Sequence, residues 1–136
     1  MKKLLWLDDI RDPKDNMWHN WLVTREVNPF HYDITWVTNY NDFVAWIKSN
    51  GLPDIICFDH DLGEDVARER VSNGINKRQA RIKKREALSG HEAAKWLVDY
   101  CIKKDLDLPT WRIQSANPVG AENINSLLTN YAKFRG

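Results

Sequence analysis

The chain has 136 residues, 43% of them apolar, and a formal net charge of +1. That length suits one globular core, and the near-neutral charge excludes a protein whose whole surface attracts nucleic acid or anionic membrane. Two cysteines, Cys57 and Cys101, give no disulfide framework. No run approaches the roughly 18 apolar residues of a membrane span, and the N-terminus lacks signal-peptide form. A cytoplasmic protein with no membrane partner is expected.

Lys2 to Leu7 is a short apolar run typical of a strand covered on both faces. It stops at Asp8-Asp9-Ile10-Arg11-Asp12-Pro13, a polar turn. Trp18, Trp21, Leu22 and Arg25 recur at helical spacing and predict a helix over about 16–27, ended by Asn28-Pro29. Asp33 to Thr38 is β-branched and alternating, as in a strand near a sheet edge. Asn41 is placed to cap a second helix whose buried stripe is Phe43, Val44, Trp46 and Ile47, with Gly51 as its stop. Ile55 to Phe58 reads as the most buried strand, and it too stops at acids, in Asp59-His60-Asp61-Leu62-Gly63.

From 64 to 88 the rhythm breaks. Eight basic residues face four acidic ones, large apolar residues are sparse, and Asn73-Gly74 marks a turn. This stretch reads as an inserted basic arm, either a solvated loop, a cover over a polyanionic nucleotide, or a nucleic-acid contact. It has no aromatic residue, which argues against base stacking by the arm itself. Ser89-Gly90-His91-Glu92 then fits a capping box, opening a helix with the stripe Ala93, Trp96, Leu97, Tyr100 and Cys101. Thr110 to Ser115 alternates as an exposed edge strand, with Trp111, Ile113 and Ser115 on one face and Arg112 and Gln114 on the other. Asn117-Pro118-Val119-Gly120 turns into a last helix that buries Ile124, Leu127, Leu128 and Tyr131. Most of the seven tryptophans suit helix-on-sheet packing.

Strands alternating with amphipathic helices predict one α/β domain over 1–136: a doubly wound, mostly parallel four-stranded sheet in a three-layer sandwich. With order 2-1-3-4, the point where strand order reverses lies between the two strands that end in acids, and ligands bind beyond the carboxyl ends of strands at such a point. Asp8, Asp9, Asp59 and Asp61 are therefore the candidate metal ligands. All-oxygen donors favour Mg2+ or Mn2+ over zinc. Ordinary capping and turn formation is the competing use of these residues. His60 is placed to move protons near neutral pH, and His91, in the first turn of a helix at the same sheet edge, to bind phosphate or protonate a leaving oxygen. Ser115, Asn117 and the amides around Gly120 form a candidate phosphate pocket at a helix N-terminus, with Arg11 as a possible clamp.

Leu-Asp-Asp after strand one, an Asp after strand three and Ser-Ala after strand four resemble the response-regulator receiver domain, a flavodoxin-like fold. That resemblance implies Mg2+ on Asp8, Asp9 and Asp59, phosphoryl chemistry at Asp59 and phosphate contact by Ser115. The chain lacks room after Ser115 for a fifth strand and its lysine, so the receiver fold is expected in truncated form. Phe-Asp-His-Asp-Leu-Gly and Ser-Ala-Asn-Pro-Val-Gly are similar to an offshoot, the cyclic-phosphate-processing receiver family, which implies metal-assisted processing of cyclic phosphates of nucleotides or RNA ends. A metal-dependent phosphoesterase is the leading expectation. A non-catalytic receiver-like module, or a protein that sequesters a cyclic nucleotide or RNA, stands beside it.

Overall fold

The computed structural model describes residues 2–62 and 89–136. The basic arm expected at 64–88 lies outside the described residues. Among them, four strands form one all-parallel sheet in the order β2-β1-β3-β4, as the alternation predicts: β1 (Lys2–Leu7), β2 (Tyr32–Val37), β3 (Ile55–Phe58) and β4 (Thr110–Ile113). Leu7 lies opposite Val37 on one side and Phe58 on the other, and Phe58 lies opposite Ile113. The strands thus end level, and the residues that follow them emerge together at one sheet edge.

Residue parity sorts the core into two halves, because successive strand side chains point to opposite faces. On one face Leu4, Trp6, Ile55 and Cys57 pack against Leu22 of helix α1 (Asn16–Thr24). On the other, Leu5, Leu7, Ile56 and Phe58 meet three helices: α2 (Tyr40–Asn50) through Phe43 and Ile47, α3 (Gly90–Lys104) through Ala93, Ala94, Leu97 and Cys101, and α4 (Pro118–Arg135) through Ile124, Leu128 and Tyr131. The α1 face is finished by tryptophans: Trp6, Trp18 and Trp21 lie about 6 Å apart, ring centre to ring centre, in tilted and edge-on pairs. Cys57 and Cys101 are buried thiols, and burial pushes the Cys101 pKa up to about 11, so both act as small apolar groups. Among the described residues no helix is long and apolar enough to cross a membrane.

Three boundaries differ from the sequence reading. Helix α1 ends at Thr24, because Glu26 adopts φ 64° and the Val27 amide closes back on the Leu22 carbonyl, a left-handed stop. Helix α2 is capped by Asn39, not Asn41; the Asn39 side chain accepts a hydrogen bond from the Asp42 amide at 2.8 Å. Strand β4 ends at Ile113, and Gln114 is not on an exposed face but 5% accessible.

Two expected stops and starts are as read: Gly51 ends α2 at φ 81°, and Ser89 caps α3 by accepting from the Glu92 amide. The next residue fixes how closely α3 approaches the sheet. A Cβ on Gly90 would overlap the backbone carbonyl oxygen of Asp59. Gly90→Ala is expected to cost about 1–3 kcal/mol through overpacking, exceeding the ~1 kcal/mol lost with the Ser89→Ala cap; urea unfolding of both variants measures the difference.

Candidate functional site

Beyond the ends of β1 and β3, one carboxylate oxygen from each of Asp8, Asp9 and Asp59 lies within 4.8 Å of the others. Asp8 is fully buried and Asp59 is 2% accessible. The backbone that carries Asp8 is held at several points. Its Oδ1 accepts the amides of Ile10 and Arg11 at 3.1 and 2.9 Å, its carbonyl oxygen accepts the Trp36 indole N–H at 2.6 Å, and the Trp6 indole N–H reaches the Arg11 carbonyl at 2.9 Å. The two tryptophans, register partners on adjacent strands, pin the turn between them. This fixes where the acids point.

Arg11 supplies the positive charge. Its Nη1 lies 3.3 Å from Asp8 Oδ2 and 3.5 Å from Asp59 Oδ1, with the guanidinium carbon 5.5 Å from the Trp18 ring centre. One cation does not neutralise three carboxylates. Burial first, then the charge of Asp8, with a further push from Asp9 and against the pull of Arg11, raises the Asp59 pKa to about 8. The close approach of the Asp9 carboxyl adds to that rise. The group therefore takes up either a proton or a cation. Three hard oxygen donors, with no thiol or imidazole among them, fit Mg2+ or Mn2+.

Asp61 is not in that group, contrary to its expected place as a further ligand. Strand β3 ends at Phe58 and the chain turns at once, so Asp61 Oδ1 lies 2.9 Å from His60 Nδ1. That pairing engages Nδ1 and leaves Nε2 as the atom that can meet a substrate. The His60 ring packs on the first turn of α4, where a Cβ on Gly120 would collide with it. His91, in the first turn of α3, is close enough to feel the charge of His60; burial, then Lys95, then His60 lower its pKa, with Glu92 opposing. The His60 carbonyl oxygen accepts two amides, from Leu62 at 3.2 Å and from Gly90 at 2.8 Å.

The expected phosphate pocket is largely occupied by its own chain. Ser115 Oγ accepts the Asn117 amide at 3.1 Å, and Asn117 Oδ1 accepts the Gly120 amide at 3.0 Å. Asn117 thus caps α4, and the Ser115 hydroxyl proton remains able to donate. Sequence reasoning missed Gln114, whose Nε2 reaches under β3 to the Leu7 carbonyl at 3.0 Å and to Asp8 Oδ2 at 3.5 Å. The signal was its position, one residue past a strand that neighbours the acid-bearing one.

A family model described as the cyclic-phosphate processing Receiver domain matches residues 3–130. No curated protein matches the chain. Among solved structures, a yeast Spc42 trimeric coiled-coil segment (amino acids 181–211) fused to another structure is similar at 18% identity and a TM-score of 0.49. The match covers 93% of this chain and 63% of that one; so low a likeness has no bearing on the site.

The raised pKa of Asp59 sets a sign for stability. Its folded value stands above the ordinary 3.8, so the stabilisation is complete below that ordinary value and is lost as pH rises through the folded one. In chelator, Tm is expected to fall between about pH 5 and about pH 8.5. Asp59→Asn is expected to flatten that slope and, near the upper end, to raise Tm by at least about 3 °C, the shift that ~1 kcal/mol gives a domain of this size. Thermal melts across pH check both.

Proposed function

The chain belongs to the cyclic-phosphate processing receiver domain family, and on that premise we propose that it hydrolyses the cyclic phosphate of a nucleotide or an RNA end, using Mg2+ or Mn2+ held by Asp8, Asp9 and Asp59. The observation that carries this reading is the convergence of those three carboxylates, with Asp59 pushed up to about 8. A hard divalent cation held there by Asp8, Asp9 and Asp59 would neutralise the cluster and polarise the phosphoryl oxygens.

The chain's own groups then divide the work. Arg11, relieved of balancing Asp8 and Asp59, turns its guanidinium to a phosphate oxygen, for which its planar fork is well shaped. The Ser115 hydroxyl donates to a second oxygen, while Asn117 and Gly120 keep the start of α4 in place and its positive dipole end on the anion. His60 takes a proton from the attacking water at Nε2, and Asp61 orients the ring and stabilises the imidazolium that forms. One ring P–O bond breaks as the water oxygen bonds to phosphorus, the proton returns to the departing ring oxygen, and the product is a phosphate monoester. His91 offers an N–H to that departing oxygen.

The test is a panel of 2′,3′- and 3′,5′-cyclic nucleotides incubated with the protein and Mg2+ or Mn2+, followed by chromatography. Turnover of at least one ring type is expected, with loss in chelator and in Asp59→Ala, and a fall of about 10²–10⁴-fold in His60→Ala. Tight binding without turnover across the panel would make the protein a sequestering one instead.

A further inference from the structure

Gln114 is the one buried polar side chain at this sheet edge, among the described residues, that the proposed chemistry leaves without a role. It follows β4 directly, and its amide N–H extends the ladder by donating to the Phe58 carbonyl at 2.9 Å. Its side chain passes beneath β3 to β1, where Nε2 meets two acceptors, the Leu7 carbonyl and Asp8 Oδ2. Two acceptors on that side fix which end of the carboxamide faces them, because the oxygen would repel both. Oε1 is consequently set in the interior with no donor among the described residues.

A buried amide oxygen without a partner costs roughly 1–3 kcal/mol, and a protein gains nothing by keeping one unless a donor arrives. The Leu7 carbonyl does not depend on Gln114, since it already accepts the Asp59 amide at 2.9 Å. The side chain's distinctive contacts are thus a donor on Asp8 and an acceptor in waiting. A hydrated cation brings the missing donor: Mg2+ keeps several waters, whose polarised O–H groups seek acceptors.

We propose that Gln114 is a positioning residue for the cation on Asp8, Asp9 and Asp59: its Nε2 holds Asp8 Oδ2 in ligating orientation, and its Oε1 accepts from a water that the cation carries. This rests on the reading above that a divalent cation occupies the three carboxylates. Hydrogen-bond partners of ligating groups set affinity, and removing one costs about 10–100-fold in metal binding.

The experiment compares the whole chain with Gln114→Met, which keeps the length and loses both hydrogen-bonding atoms, and with Gln114→Asn, which keeps the amide and shortens its reach. Calorimetric titration with Mn2+ and with Mg2+ gives Kd, and melting in chelator gives metal-free stability. For both variants Kd is expected to weaken by about 10–100-fold, while the metal-free Tm of Gln114→Met equals or exceeds that of the parent because the orphaned oxygen is gone. A residue that merely fills space would behave in the opposite way, with a lower metal-free Tm and an unchanged Kd. If Gln114→Met does not fold, Gln114→Asn decides alone. Unchanged Kd in a folded variant overturns the role of Gln114 and spares the cation reading. A parent protein that binds neither metal overturns both.

Discussion

Three carboxyl groups this close together, two of them out of water, favour added positive charge, and the arrangement at this sheet edge answers that constraint. Coulomb repulsion between neighbouring anions grows as the surroundings become less polar, and Asp8 and Asp59 are essentially inaccessible to solvent. Arg11 relieves part of the repulsion from 3.3 and 3.5 Å. The raised pKa of Asp59, about 8, reflects the part that Arg11 leaves unrelieved. What remains is an affinity for positive charge.

Holding such a cluster together takes stiffness, and the apolar residues provide it. Level strand ends bring Leu7 and Phe58 side by side, so the acids that follow have no freedom to separate along the sheet. Trp6 serves twice: its ring seals the α1 face against Trp18 and Trp21, and its N–H fixes the turn that carries Asp8 and Asp9. Trp36 does the same from β2 while staying 40% exposed. Packing and polar chemistry therefore meet in the same side chains, and a cavity in the tryptophan layer would loosen the acids above it.

Much of this was legible in the sequence because it depends on period and punctuation. Short apolar runs ending in Asp8 and Asp59, helical stripes between them, the stop at Gly51 and the start at Ser89 fix the alternation, and parallel topology then brings the acids together. The misread positions share a different cause. Asn39 and Asn41 are equally good caps by composition, and only the chain's path selects Asn39. Asp61 stands among the acids that follow the strand, but the chain turns directly after Phe58 and its partner is His60. Gln114 was read as an outward polar residue of an edge strand; its reach across β3 to β1 is a long-range contact that no local pattern encodes.

The His60 carbonyl receives the amides of both Leu62 and Gly90. Two points far apart along the chain are thus held at a single oxygen atom. Such a junction behaves as a docking port in an evolutionary sense. Closure entropy changes by only about 0.6 kcal/mol for each doubling of a loop, so the length of chain between these two points can vary widely while the acid-bearing turns stay where they are.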